Sequence, residues 1–274
     1  MKHLLWLLLL AGCANTQHTD ITWENELKDG RLMYGRAAPG VEVFVENSTK
    51  NNRTEGLSQI PTKDGHFVVG IPQDGNELKL KIKKDGKMED IVFSVPQRKW
   101  QEDYVSGLPP KKVTPPAEEQ ARIQSEFKAM RDKRQISTYP QFPDKWQLPL
   151  ASYKRISSPF GSRRILNGSV KQNGHSGTDY AAETGTPVLA AADGIVVLTH
   201  PDMFYTGNTI LVDHGYGVYT SYAHLSEIDA KEGQVVKAGD KIGEVGMTGR
   251  ATGPHLHFGL SWYGVRLNPE DLFE

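Results

Sequence analysis

The sequence predicts a mainly β protein that has two β domains and one short helical segment between them. Three observations predict this organisation. Apolar and polar residues alternate in short runs from residue 31 to residue 95 and again after residue 150, which is the period of a β-strand. The 27 glycines and 16 prolines among 274 residues suit a chain with many tight turns. Residues 117–135 contain neither Gly nor Pro and are rich in helix formers.

Composition and charge exclude several classes of protein. The 32 Lys+Arg and 33 Asp+Glu give a formal net charge of -1, so no global basic field is available to hold nucleic acid. No apolar run reaches the roughly 18 residues that a membrane-spanning helix needs. Cys13 is the single cysteine of the sequence, which excludes an intramolecular disulfide and a thiolate metal cluster.

The first thirteen residues predict an export signal that ends at a lipid anchor. A short basic start precedes an apolar run from Leu4 to Leu10, which is too short to span a bilayer. The tetrad Leu10-Ala11-Gly12-Cys13 resembles a bacterial lipobox, and this implies cleavage before Cys13 and acylation of that residue. An ordinary signal peptide with an incidental cysteine is the alternative. Residues 1–12 are therefore predicted as a lipoprotein signal peptide, and residues 13–30 as a polar tether.

The same segment predicts where the protein resides. Acyl chains on Cys13 hold a protein on a membrane without any helix. The residue after the cysteine is Ala14, and no Asp is present there to indicate retention in the inner membrane. For a Gram-negative source, these features predict an outer-membrane lipoprotein on the periplasmic face.

Residues 31–106 predict a small N-terminal β-sandwich of the immunoglobulin-like type. The run from Val41 to Glu46 alternates, and so does the run from Leu78 to Lys83. The second run is followed by Asp85-Gly86 and then by an apolar strand from Ile91 to Val95, which is the pattern of a β-hairpin. No catalytic cluster is visible in this domain, so its expected role is spacing or docking.

Residues 107–149 predict a proline-rich linker that contains a helix over 117–135. Four prolines lie between residues 107 and 116, which makes that part stiff. In the helix, Ile123, Phe127 and Met130 form one apolar stripe. The stripe packs on a neighbouring domain or binds a partner. After residue 150 the short β-type runs and Gly-rich turns predict an antiparallel β domain that extends to residue 274.

Three groups of histidines in this C-terminal domain suggest a metal site. On an extended chain, His175 and Asp179 of the His-x-Gly-x-Asp motif point to the same face. His255 and His257 also share a face, and His224 ends an alternating run. Each group alone also fits an ordinary polar sheet face. Together they supply more ligands than one catalytic zinc ion needs, since such an ion takes three protein ligands and an open water position.

These groups resemble the motifs of the lysostaphin/LytM-type zinc peptidases of peptidase family M23. The resemblance covers roughly Ser157 to Leu272. It rests on three segments in the order of that family, namely His175-x-Gly-x-Asp179, Tyr222-Ala223-His224-Leu225 and Gly253-Pro254-His255-Leu256-His257-Phe258. It implies a β peptidase domain over residues 150–274, with one Zn²⁺ held by His175, Asp179 and His257. It further implies that His224 and His255 form a catalytic pair that does not bind the metal.

The resemblance also implies an activity. The chain is expected to be a zinc metalloendopeptidase that cuts peptide cross-links of bacterial peptidoglycan by attack of a zinc-bound water. His255 is expected to be the general base, and His224 to stabilise the oxyanion or act as the acid; the two roles are interchangeable at this stage. D-alanyl–diaminopimelate bonds are the expected target, and polyglycine bridges are the alternative.

Two other functions fit parts of the sequence. Some relatives in the family have lost metal ligands and activate cell-wall amidases, but the full ligand set here disfavours that function. The run from Val236 to Gly243 resembles a lipoyl-type carrier, which would leave the histidines unexplained. The expected partners are therefore peptidoglycan stem peptides and, through Cys13, a membrane. The sequence does not predict an oligomeric state.

Several further side chains are candidates with open roles. His214 lies in an Asp-His-Gly turn and is expected to be structural. Three arginines are expected either to hold substrate carboxylates or to lie on a solvated surface: Arg163, Arg164 and Arg250. The sequence leaves two forms of latency open: residues 107–149 could cover the groove, or Asn167 or Asn173 could occupy the open zinc position.

Overall fold

The computed structural model describes residues 18–46, 57–60, 64–143, 145–168 and 170–274. The predicted signal peptide, residues 1–12, and Cys13 lie outside these ranges. The described part of the chain is mainly β, as predicted, with 21 strands and two α-helices. Within it, no helix is long and apolar enough to cross a membrane.

Seven strands form two antiparallel sheets in the N-terminal region. They are β1 (Ile21–Trp23), β2 (Leu32–Ala37), β3 (Glu42–Glu46), β4 (Leu57–Gln59), β5 (His66–Gly70), β6 (Glu77–Lys84) and β7 (Lys87–Ser94). One sheet has the order β1-β2-β5 and the other has the order β4-β3-β6-β7. Buried apolar residues of both sheets belong to one core. The arrangement is a two-layer sandwich, and its immunoglobulin-like subtype stays a prediction.

The predicted hairpin at Asp85-Gly86 is confirmed. Strands β6 and β7 pair in antiparallel register up to Lys84 and Lys87. Asp85 and Gly86 have φ angles of 51° and 76°, which two-residue hairpin turns need because their twist then matches that of the strands.

The prediction of a polar tether over residues 13–30 is wrong at its C-terminal end. Residues 21–23 form β1, which pairs with β2. Ile21 is fully buried, and the ring of Trp23 packs edge-on against Phe67 and Phe93, with centroids 5.7 and 5.2 Å away. A three-residue strand carries too short a pattern for its period to be recognised.

Fourteen strands follow. They are β8 (Glu102–Val105), β9 (Arg155–Ser158), β10 (Arg163–Leu166), β11 (Val170–Gly174), β12 (Thr178–Ala181), β13 (Pro187–Leu189), β14 (Gly194–Met203), β15 (Gly207–Asp213), β16 (Val218–Leu225), β17 (Glu227–Ile228), β18 (Val235–Val236), β19 (Lys241–Glu244), β20 (His255–Trp262) and β21 (Val265–Leu267). The largest sheet has the order β18-β14-β15-β16-β20-β12-β9, and β21 pairs with β20. Two three-stranded sheets, β13-β19-β17 and β11-β10-β8, flank it.

The two regions are joined by shared packing. Leu260, Trp262 and Leu267 of the C-terminal sheet belong to the same apolar core as the N-terminal sandwich. A Cβ added to Gly70 in β5 would lie 2.9 Å from the Cβ of Trp262, so the two surfaces are in direct contact. Strand β8, which the sequence assigned to the N-terminal domain, pairs in parallel with β10. Residues on both sides of the predicted boundary at residue 106 therefore share one apolar core and one β-sheet.

The linker region contains two helices, α1 (Pro110–Val113) and α2 (Gln120–Lys133), the second preceded by a 3₁₀ turn over Ala117–Glu119. The apolar stripe of α2 faces the C-terminal domain. Ile123 is buried, the ring of Phe127 stacks on Tyr205 with centroids 5.9 Å apart, and Met130 packs with residues of β14, β15 and β16. Of the two predicted uses of this stripe, packing on a domain is the one observed.

Candidate metal centre

The alternation of β20 places two histidines on one face of the large sheet. His255 and His257 point to that face, while Leu256 and Phe258 are buried in the core on the other. His257 pairs with Asp179 of β12 on one side and with Ala223 of β16 on the other. Directly paired residues share a face, so the carboxylate and the imidazole meet without any special loop.

Three side-chain atoms converge on one point at this face. The Oδ1 atom of Asp179 lies 2.7 Å from Nδ1 of His257 and 3.2 Å from Nε2 of His175. The two ring nitrogens are 3.0 Å apart. All three residues are 9% exposed or less, and they form a group with the composition of a metal site. These are the three residues that the sequence predicted as zinc ligands.

The remaining atoms of the rings indicate which nitrogens carry hydrogen. Nδ1 of His175 lies 3.2 Å from the carbonyl oxygen of Pro159, which can only accept, so this nitrogen donates and Nε2 keeps its lone pair. Nε2 of His257 lies 3.4 Å from the hydroxyl of Ser176, which leaves Nδ1 as the inward atom. In neutral rings the two inward nitrogens carry lone pairs that repel the carboxylate, and either protonation of the rings or a metal cation between the three groups removes this repulsion. The donor set, two imidazoles and one carboxylate, fits zinc.

The charge state of the carboxylate agrees with this arrangement. Burial raises the pKa of Asp179, but the charges and hydrogen bonds of His175 and His257 outweigh burial and hold that pKa well below its ordinary value. The carboxylate is therefore ionised at neutral pH and can serve as a ligand.

The glycine of the His-x-Gly-x-Asp motif is required by close packing. A Cβ added to Gly177 would lie 2.3 Å from the carbonyl oxygen of Phe258 and 2.9 Å from Nε2 of His257. Any larger residue at position 177 would push β20 away and separate His257 from the other two ligands. This contact explains in physical terms why the motif has no side chain there.

His224 and His255 lie beside the metal group and face each other. Their ring centroids are 4.7 Å apart, and Nε2 of His255 lies 3.8 Å from Oδ1 of Asp179. In each ring Nδ1 contacts a backbone carbonyl: that of Thr248 at 2.7 Å for His224, and that of Gly253 at 2.8 Å for His255. Carbonyls only accept, so Nδ1 carries the hydrogen and each neutral ring presents Nε2 as an acceptor.

This geometry bears on the roles expected for the pair. Burial, followed by the nearby charges of His255 and His257, lowers the pKa of His224 to about 3. His224 is thus neutral at pH 7, and its Nε2 accepts a hydrogen bond rather than donating one. To stabilise an oxyanion it would first have to take up a proton.

An open groove of about 440 Å³ runs past these rings. Residues 103–108 form one wall and residues 250–255 form the other. Tyr104, in the first wall, is 70% exposed. Residues 103–108 thus border the groove without filling it, and of the predicted cover, residues 107–149, only Leu108 is among the lining side chains.

Arg155 and a serine next to the metal group were missed by the sequence analysis. Arg155 pairs with Ala181, which pairs with His255, so all three lie in one row on the same face. The hydroxyl of Ser158 lies 3.3 Å from Nδ1 of His175 and donates to the carboxylate of Asp103. The register of β9 against β12 brings these residues to the site, and no local pattern in the sequence encodes that register.

The other predicted side chains are spread over the molecule. Arg250 lies over the ring of Tyr205, 4.4 Å from its centroid, and lines the groove. Arg163 instead pairs with Asp74 at 3.5 Å, and it is not among the residues that line the groove. The side chains of Arg164 and Asn173 lie outside the described residues.

Asn167 and His214 have structural roles, because their side chains form hydrogen bonds within the fold. The side-chain amide of Asn167 accepts a hydrogen bond from the backbone N–H of Leu108 and donates to its carbonyl, so it does not occupy the metal group. His214 is fully buried, with Nδ1 2.7 Å from the carbonyl of Asp193 and Nε2 2.7 Å from the hydroxyl of Thr220. Burial lowers the pKa of His214 to about 4. These contacts are those of a structural residue.

Comparison with known proteins agrees with the geometry. Residues 173–269 match the model of peptidase family M23. The chain is 46% identical over 122 residues to the peptidoglycan DD-endopeptidase ShyA of Vibrio cholerae, covering 44% of this chain and 28% of that protein. It is 48% identical over 119 residues to the DD-carboxypeptidase/endopeptidase Mpg of Neisseria meningitidis, covering 43% of this chain and 26% of that protein. The chain thus spans little more than a quarter of the length of these curated relatives.

A solved structure extends the likeness to most of the chain. A putative M23 peptidase from Pseudomonas aeruginosa superposes with a TM-score of 0.65 at 28% identity, over 90% of this chain and 95% of that one. The likeness therefore includes the N-terminal sandwich and the linker as well as the sheet that carries the metal group. From the motifs, the metal group and the family model together, residues 173–269 of this chain form a peptidase family M23 domain.

Proposed function

We propose that this protein is a zinc metalloendopeptidase that hydrolyses peptide cross-links of bacterial peptidoglycan. The observation that carries the proposal is the meeting of His175, Asp179 and His257 at one point. Two further imidazoles, His224 and His255, face each other beside this group and line an open groove together with Asp179. A binding module needs a groove but has no use for two imidazoles that present free Nε2 acceptors next to a buried metal group.

The zinc ion supplies one part of the chemistry, because it lowers the pKa of a bound water to about 7 and polarises a substrate carbonyl. The residues of the chain supply the rest. His255 takes a proton at Nε2, and its neighbour Asp179 stabilises the imidazolium that results, across 3.8 Å. Protonated His255 then gives the proton to the leaving amine.

His224 has a different part in this proposal. Its lowered pKa makes His224 a poor base. We therefore assign it a binding role, in which its Nε2 accepts a hydrogen bond from the attacking water or from a substrate N–H. Its backbone has a φ of 62°, a conformation that costs a non-glycine residue free energy. The bond from Nδ1 to the carbonyl of Thr248 fixes the ring in place.

The substrate assignment rests on charge and on the relatives. Arg155 and Arg250 line the groove and offer guanidinium groups that match carboxylates, which peptidoglycan stem peptides carry next to their cross-links. ShyA and Mpg are named for action on DD bonds. We therefore propose the D-alanyl–diaminopimelate bond as the target. We further propose, from the lipobox, that Cys13 anchors the protein to the periplasmic face of an outer membrane.

Incubation of the zinc-loaded protein with a purified cross-linked muropeptide dimer tests this proposal. We expect mass spectrometry to show two monomers whose summed mass exceeds that of the dimer by one water. The matched control is His255→Ala, which keeps the metal ligands and should be about 10²–10⁴-fold slower. An intact dimer after prolonged incubation with zinc-loaded protein would contradict the assignment.

A further inference from the structure

A second cavity lies behind the metal group, between helix α2 and the sheet. Its volume is about 90 Å³, and its lining includes Arg134, Arg266, Ser176, Ser261 and His257. Ser261 and His257 are alternate residues of β20, and Ser261 pairs with Arg266 of β21. The cavity is therefore on the same face of the sheet as the metal group. It is lined by His257, whereas the 440 Å³ groove is lined by His255 and Asp179.

Two arginines line this cavity: Arg134 is half-buried, and Arg266 is exposed. Arg134 follows the last residue of α2, and its Nε is buried and has no hydrogen-bond partner. No ion pair joins Arg134 or Arg266 to any residue that the structure describes. The acidic residue of the lining, Glu126, accepts instead from Arg122 and from the backbone N–H of Phe204.

The lining also contains serine hydroxyls, which can donate a hydrogen bond. The hydroxyl of Ser261 is buried and has no partner, and Ser176 contacts the outer edge of His257. Burial and then the like charge of Arg266 lower the pKa of Arg134 to about 10, so the side chain is still charged at pH 7. The Nε of Arg134 and the hydroxyl of Ser261 are both buried without a partner, which is unfavourable. An anion beside the guanidinium group of Arg134 would accept from them, and Arg266 would add a second positive charge.

We propose that this cavity binds a small oxyanion, a carboxylate or a phosphate, between Arg134 and Arg266. At about 90 Å³, the cavity has room for a group of the size of a carboxylate or a phosphate. The anion is either a carboxylate of a bound peptide or a free inorganic ion. A peptide carboxylate as the source rests on the proposed hydrolase function. The proposal that the cavity binds an oxyanion does not depend on that function.

Phosphate binding to the zinc-loaded full chain tests the site without reference to activity. We expect phosphate to raise the Tm of the wild type and of Arg131→Gln equally, and that of Arg134→Gln by less than half as much. Arg131 is the matched control because it lies on the same helix, is exposed, and has Asp132 beside it. Phosphate bound elsewhere, including at zinc, contributes equally to all three proteins. Equal shifts in all three overturn the proposal.

Arg266→Gln repeats the test from the other wall of the cavity, and it replaces Arg134→Gln if that variant does not fold. A smaller phosphate shift in either variant supports the site, and full shifts in both contradict it.

Kinetics then distinguish the two sources of the anion. If the substrate supplies a carboxylate, Arg134→Gln raises the KM about 10-fold for the free-acid muropeptide dimer and leaves the KM for its amidated form unchanged. If the anion is inorganic, both KM values stay at the wild-type level while the phosphate shift is lost. Either result supports the site. If the wild type shows no hydrolysis, the proposed function fails and the phosphate result still decides on the site.

Discussion

The two faces of strand β20 show how one short segment serves two purposes. On one face Leu256, Phe258, Leu260 and Trp262 are buried among apolar neighbours. On the other face His255 and His257 reach the metal group, and Gly259 and Ser261 continue towards the second cavity. The same alternation that directs four side chains into a core directs two histidines to the metal group and a serine to the second cavity. The comparison shows that packing of the apolar side chains on one face of β20 holds the backbone in place, and that this backbone positions His255 and His257 on the other face.

The two faces also differ in what holds them. Leu256 and Phe258 pack within the C-terminal domain, whereas Leu260 and Trp262 pack against the N-terminal sandwich. The N-terminal region is thus part of the structural support of the strand that carries two predicted site histidines. A fragment limited to residues 150–274 would expose that half of the core face.

Replacing a ligand on the site face has the largest expected effect. His257→Ala removes one of three ligands, so we expect zinc to be lost and hydrolysis to fall below detection. His255→Ala, two residues away on the same face, keeps all three ligands and should retain one zinc per chain. Metal analysis of both purified proteins checks this prediction. A zinc-free His255→Ala protein would contradict the division between ligand and catalytic residues.

Replacing a residue on the core face should affect stability and leave the metal in place. Leu260→Ala is expected to lower the free energy of unfolding by about 2–5 kcal/mol, through the lost contacts and the cavity that remains. The adjacent Ser261→Ala lies on the site face, loses a hydroxyl without a partner, and should change stability by less than about 1 kcal/mol. Denaturant unfolding of the two variants measures the contrast, and equal destabilisation would show that the faces do not differ as described.

How far the sequence predicts this molecule can be judged from the same strand. The alternation in His255-Leu256-His257-Phe258 predicts the two faces correctly, because a strand has a period of two. The sequence could not predict that Trp262 packs on Gly70, or that Arg155 lies in the row of His255, because both depend on which distant strands become neighbours. Burial of Arg134 beside Arg266 has the same cause.

A smaller effect is expected one contact away from the metal. Ser158→Ala removes the hydroxyl 3.3 Å from Nδ1 of His175, and such supporting contacts change metal affinity by about 10–100-fold. Competition with a chelator of known affinity measures this change. The control is Ser157→Ala, whose hydroxyl donates instead to the backbone carbonyl of Asp179. Unchanged zinc affinity in Ser158→Ala would mean that Pro159 alone orients the ring.

The smallest expected effect is on substrate binding in the groove. Arg155→Gln should raise the KM for a carboxylate-bearing muropeptide about 10-fold and leave kcat nearly unchanged, because the guanidinium contacts the substrate away from the scissile bond. Lys154→Gln is the matched control, since that lysine pairs with Glu183. A fall in kcat instead would place Arg155 in the chemical step.

The most direct test of the metal centre is X-ray diffraction from crystals of the zinc-loaded protein, measured at the zinc absorption edge. The account predicts one anomalous peak per chain, about 2.0–2.2 Å from Nε2 of His175, Nδ1 of His257 and a carboxylate oxygen of Asp179. The rings of His224 and His255 should lie beyond bonding distance of the peak. A peak bound to His224 or His255 in place of one of those ligands, or no peak at this group, would contradict the account.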